Sequence, residues 1–148
     1  KATRNYCRKL GEGYLNGNLT TFTLGSSELL RLVNISNCYN LTSTIDASKC
    51  PTLKVFKAKG SAIAGVNFSV GGRLEEFYLP KTIKNLTLRE QSHLKPNGVN
   101  IDSNSNGTYN LTTIFIDNTS NVDFYHYIVN SPDLEYLRLT GIEWTTTE

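Results

Sequence analysis

The chain has 148 residues, of which 39% are hydrophobic and 19% charged, with a formal net charge of +2. That is ordinary for one soluble domain able to bury a sizeable core. Scattered basic residues and so small a surplus argue against a nucleic-acid partner, and no apolar run approaches the roughly 20 residues that membrane insertion by a helix needs.

Residues 1–17 mix Lys, Arg, Cys7 and three glycines with no regular apolar pattern, and are expected to form a cap or linker over the open end of a repeat array. The sequence contains no Met and begins at Lys1, which is read as a piece of a longer polypeptide.

From residue 18 a short phrase recurs: an apolar anchor followed three and five positions later by two more apolar side chains. Its copies are Leu19/Phe22/Leu24, Leu30/Val33/Ile35, Leu53/Phe56/Ala58, Ile63/Val66/Phe68, Leu74/Phe77/Leu79, Ile83/Leu86/Leu88, Leu111/Ile114/Ile116 and Leu134/Leu137/Leu139. Leu41/Ile45/Ala47 is a copy slipped by one residue, and Val122/Tyr125/Tyr127 a poorer one. Period two within each copy, with Pro80 directly after one of them, indicates short strands. Turn residues separate the copies, as in Gly25-Ser26-Ser27, Gly60-Ser61 and Gly71-Gly72.

Strands this short cannot stand as isolated hairpins, and no helical stripe is long enough to cover a sheet. The pattern therefore predicts an all-β solenoid in which equivalent strands of successive coils stack in parallel and every apolar position forms an internal column. Two copies per coil give about five coils of about 22 residues with two facing sheets. The solenoid is expected over 18–142, with a loop insertion at 95–110 and a C-terminal tail at 143–148.

Phrases such as LEEFYLPKTIKNLTL and NLTSTIDASKCPTL resemble the helix-poor leucine-rich repeats of bacterial cell-surface proteins and of gut-bacteriophage tail proteins. The resemblance covers about 18–142 and lacks a regular Asn or Cys in every repeat. It implies an adhesion or receptor-binding module on a virion or cell surface, with a host-surface glycan or protein as partner, other subunits of a larger assembly around it, and no shared catalytic residues to carry over.

Within the inserted segment, Asp102, Asn104 and Asn106 match the first half of a calcium loop ending at Gly107, but the twelfth position is Thr113 rather than a bidentate Glu. An Asx-rich turn accounts for the same residues. Cys38 and Cys50 are expected at the corners of successive half-coils as small buried side chains. Three cysteines, no C-x-x-C and two distant histidines give neither a zinc site nor a disulfide framework. Eight N-x-S/T sequons follow from the repeat itself, as in Asn40-Leu41-Thr42, and are read as corner chemistry rather than glycan acceptors. No cofactor is expected.

The residue between the two inward side chains of each copy points outwards. One ladder is then Thr23, Asp46, Asn67, Thr87, Phe115 and Arg138; the other is Asn34, Lys57, Tyr78, Asn100 and His126. The second is selected as the ligand-binding face, with Lys57, Glu76, Tyr78, Phe124 and His126 as its residues, because aromatic rings beside carboxylate, amide and cationic groups suit a sugar face or a protein epitope. Catalysis is not expected, since Glu75 and Glu76 alternate in direction and Asp46 and Glu76 fall on different sheets. The alternatives are a purely structural spacer of a fibre and a carbohydrate-active β-helix enzyme.

Overall fold

The computed structural model of the chain describes residues 19–119 and 122–142; the N-terminal cap, Cys7 and the tail with Trp144 lie outside them. The described residues form a helix-poor, parallel β-solenoid of about 5 turns, with equivalent positions about 23 residues apart.

Among the described residues the strands are β1 (Leu32–Asn34), β2 (Ile45–Ala47), β3 (Val55–Lys57), β4 (Val66–Phe68), β5 (Glu76–Leu79), β6 (Asn85–Arg89), β7 (Val99–Ile101), β8 (Thr113–Asp117) and β9 (Tyr136–Thr140), with a helix, α1 (Tyr125–Val129), between β8 and β9. Odd and even copies separate as the alternation predicts. β1, β3, β5 and β7 form one parallel sheet, while β2-β4 and β6-β8-β9 make up the opposite face. β4 and β6 are linked around their ends, where the Lys84 N–H donates to Ala64 O at 2.9 Å and the Gly71 N–H to Arg89 O at 3.2 Å.

The strands are short because a corner follows each one, and the ladder continues through the corners. Ile35 N–H donates to Lys57 O and Asn37 N–H to Lys59 O, at 2.7 and 2.8 Å. Inward side chains are the anchors and strand residues of the repeated phrase: Leu30, Val33, Ile35, Leu41, Ile45, Leu53, Phe56, Ile63, Phe77, Leu86 and Ile114 are all buried. Phe68 of the second face reaches across to Phe56 and Phe77 of the first, at 5.6 and 5.7 Å between ring centroids. Edge-to-face and offset ring pairs of this kind add about 0.5–1.5 kcal/mol beyond the area they bury. Cys38 and Cys50 are buried free thiols, and burial pushes both up from the ordinary thiol value.

The inserted residues concentrate between β7 and β8. Val99 and Ile101 remain in register with Phe77 and Leu79, whereas Asn85 opposes Thr113 across a longer interval. Two departures occur in the last coil. Val122/Tyr125/Tyr127 does not form a strand: the segment becomes α1, which occupies the place of a fifth strand beside β7. Leu137 keeps its inward register opposite Ile114 yet is 45% exposed, because among the described residues no further coil stacks on β9.

Candidate functional site

The first sheet presents the outward ladder Asn34, Lys57, Tyr78 and Asn100 in consecutive register. Neighbouring strands lie about 4.8 Å apart, so these side chains stand at a fixed lateral repeat. Their order follows from the inward anchoring of Val33, Phe56, Phe77 and Ile101, which leaves the alternate residues no other face. Glu76 lies on the same side, in the column of Val55, so Lys57, Glu76 and Tyr78 are brought together as the alternation predicts.

Tyr78 is held by residues from the coils before and after it. Lys59 Nζ donates to the Tyr78 hydroxyl at 2.9 Å, and that hydroxyl donates to Asp102 Oδ1 at 3.0 Å. Lys59 and Asp102 pair at 3.4 Å, and the ammonium lies 4.7 Å from the ring centroid. The hydroxyl bond and the nearby carboxylate push the Lys59 ammonium up from its ordinary value. A side chain fixed from two sides has little rotamer freedom left to lose when a ligand arrives. Lys59 and Asp102, 43 positions apart, had no mutual signal in the sequence; both lie two residues beyond a ladder position, and the repeat length would have aligned them.

Phe124 and His126 do not belong to this face. Phe124 is 2% exposed and starts α1 rather than projecting from a strand, so its place on the outward ladder is corrected to the core. His126 sits on α1, where Nε2 lies 3.0 Å from the Tyr109 hydroxyl and Nδ1 lies 3.2 Å from the Asn130 amide. The helix forms here because the Asp123 carboxylate accepts from the Tyr125 N–H at 3.0 Å and Phe124, Tyr127 and Ile128 recur at i, i+3 and i+4, all packed on the core. Pro132 follows closely and stops it.

The calcium-loop residues meet different partners. Asp102 belongs to the Tyr78 cluster, the Asn104 amide donates to Thr108 and Asn110, and Asn106 Oδ1 accepts from the Thr108 N–H and hydroxyl at 3.1 and 2.7 Å. These are the bonds of an Asx turn, and among the described residues no group of three His, Cys, Asp or Glu side chains gathers within reach of one ion. The carboxylates Glu75 and Asp117 are each engaged by cations: Glu75 by Lys95 and Lys54 at 3.3 and 3.9 Å, Asp117 by Arg89 at 3.4 Å. Asp46 and Glu76 lie on opposite sheets. Among the described residues no helix is long and apolar enough to cross a membrane.

Comparison with protein-family models, with curated proteins and with solved structures finds no match to this chain. What the chain can bind is therefore read from its fold and from the geometry of its faces.

Proposed function

We propose that the chain is a non-catalytic binding and adhesion module whose ligand lies along the outer face of the β1-β3-β5-β7 sheet, over Lys57, Glu76 and Tyr78. The observation that carries this reading is the Tyr78 cluster: an outward aromatic side chain clamped between Lys59 and Asp102, in the middle of a flat ladder of amide, ammonium and carboxylate groups. A preformed aromatic and polar surface of that kind suits the face of a sugar or a protein epitope. A solenoid supplies it on an extended scale, since each coil adds one rung. The repeat phrase, with its resemblance to helix-poor leucine-rich repeats of surface and tail proteins, supports a host-surface glycan or protein as the partner. It also supports placement in a larger assembly on a virion or cell surface.

The test is a glycan array together with a host-surface binding assay, comparing the intact chain with Lys57→Ala and Tyr78→Ala. Neither substitution empties the core, so folding is expected to survive. Binding at least about tenfold weaker in both variants is the expected result for residues near the centre of a contact. Unchanged binding in both would remove the site from this face.

A further inference from the structure

We infer that the opposite face of the solenoid carries a second binding site, built on Arg89, Phe115 and Arg138, for the oxyanion group of an acidic glycan.

The last three strands of that face form a regular outward grid. Thr87, Phe115 and Arg138 are in register across β6, β8 and β9, flanked by the row Arg89, Asp117, Thr140 and by the row Asn85, Thr113, Tyr136. The two guanidinium groups converge on a single ring: Arg89 Cζ lies 5.4 Å and Arg138 Cζ 5.2 Å from the Phe115 centroid. A guanidinium on an aromatic face is attracted to the ring, loses conformational freedom, and keeps its in-plane N–H donors available.

The charges do not cancel. Arg89 meets Asp117 at 3.4 Å, but among the described residues no carboxylate comes within ion-pair distance of Arg138. An exposed, pre-oriented guanidinium without a counter-ion, on a half-buried ring that also carries a second guanidinium, is complementary to a planar or tetrahedral oxyanion and accepts it through paired N–H donors. Surrounding Thr and Tyr hydroxyls, with Tyr136 49% exposed, supply the donors and acceptors that a sugar ring requires. The ligand chemistry is therefore a sugar bearing a carboxylate or a sulfate. A neutral sugar would leave the Arg138 charge unmatched.

The experiment is isothermal titration calorimetry of the intact chain with three probes: an oligogalacturonate, a heparin oligosaccharide and a neutral malto-oligosaccharide of similar length. The wild-type chain is expected to bind at least one acidic probe, more weakly as NaCl is raised, and not the neutral one. Arg138→Ala is expected to weaken that binding about 10- to 100-fold, the range for losing a charge-assisted hydrogen bond. Arg138→Lys, which keeps the charge but not the fork, falls between. Circular dichroism melts of both variants should match the wild type, because Arg138 is exposed on the last strand. Retention of affinity in Arg138→Ala, equal binding of the neutral probe, or absence of binding to both acidic probes would overturn the inference. Loss of acidic-probe binding in Tyr78→Ala with retention in Arg138→Ala would move the ligand to the first sheet and overturn the inference, so failure on one face is distinguishable from failure on the other.

Discussion

Glu90, Asn118 and Gly141 each follow a strand of the second face and share a left-handed backbone, with φ of 55°, 47° and 65°. The corner repeats because the backbone ladder continues through it, with Glu90 N–H donating to Asp117 O and Asn118 N–H to Thr140 O, at 2.7 and 2.8 Å. Stacking fixes the conformation whichever residue occupies it. A residue with a Cβ loses roughly 1–2 kcal/mol there, whereas Gly does not but has a more flexible unfolded chain. Glu90→Gly is therefore expected to stabilise the chain by up to about 1 kcal/mol, read as a higher urea midpoint with unchanged slope. Gly98 is the opposite case. Its φ is ordinary, but an added Cβ would strike the backbone carbonyl of Glu75 and crowd Glu76, and the Gly98 carbonyl accepts the Phe77 N–H at 2.7 Å. Gly98→Ala is expected to destabilise the chain by about 1–3 kcal/mol, for overpacking against rigid backbone, read as a lower urea midpoint. Glu90 does not announce itself in the sequence, since Glu is no turn former; Pro96-Asn97-Gly98 announces a turn, closed by the Gly98 N–H donating to Lys95 O at 2.9 Å, but not the approach of Gly98 to the Glu75 backbone.

The helix α1 replaces a strand, and the reason separates the legible from the illegible parts of the sequence. Period two identified the ladder Asn34, Lys57, Tyr78 and Asn100 because each of those residues stands between two apolar neighbours. The segment around Phe124 satisfies both periods: Val122, Tyr125 and Tyr127 fit a strand, while Phe124, Tyr127 and Ile128 fit one helical face. The structure places the helix beside β7, where the Tyr127 hydroxyl donates to Val99 O at 3.3 Å, and ties its end to the loop after β7, where the Tyr109 N–H donates to Asn130 O at 2.9 Å. An uncovered edge strand would invite pairing with another chain. Phe124 and His126 thereby left the outward face of the first sheet, and Lys59 and Asp102 joined it through stacking that no local pattern encodes. Burial, and then the neighbouring Tyr109, push the Tyr127 phenol up to about 12 from 10.0. The folded-state value lies above the unfolded one, so the contribution to stability is complete below about pH 10 and is lost as pH rises towards 12. Tyr127→Phe is expected to cost about 0.5–1.5 kcal/mol at neutral pH for the lost bond to Val99 O. It is also expected to flatten the alkaline fall in stability measured by urea titration between about pH 9 and pH 12. An identical alkaline fall in wild type and variant would assign that titration to Tyr109 or the buried thiols instead.

Among the described residues strand pairing joins each coil only to the coils beside it, so stability is approximately a sum of neighbour terms and the value of a given side chain depends on its position along the stack. The β8–β9 pair tests this directly. Ile114 and Leu137 are register partners with the same inward direction, but Ile114 is 0% exposed between two coils, whereas Leu137 is 45% exposed on the final one. Truncation at Ile114 leaves a cavity walled on both sides, and Ile114→Ala is expected to cost about 2–5 kcal/mol. At Leu137 nearly half the side chain already meets water, so less apolar surface is lost and no closed cavity forms; Leu137→Ala is expected to cost less than half as much as Ile114→Ala. The same gradient sets local opening. Amide hydrogen exchange should be slowest in β3 and β5, which are paired on both sides within the stack, faster in β8, and fastest in β9, the last strand, which has a partner on one side among the described residues. Equal destabilisation by the two substitutions, or uniform protection from β3 to β9, would mean that the last coil is covered by something further along the chain or by a second molecule. Exchange repeated at a series of protein concentrations decides between the two, because only intermolecular cover makes the protection of β9 rise with concentration.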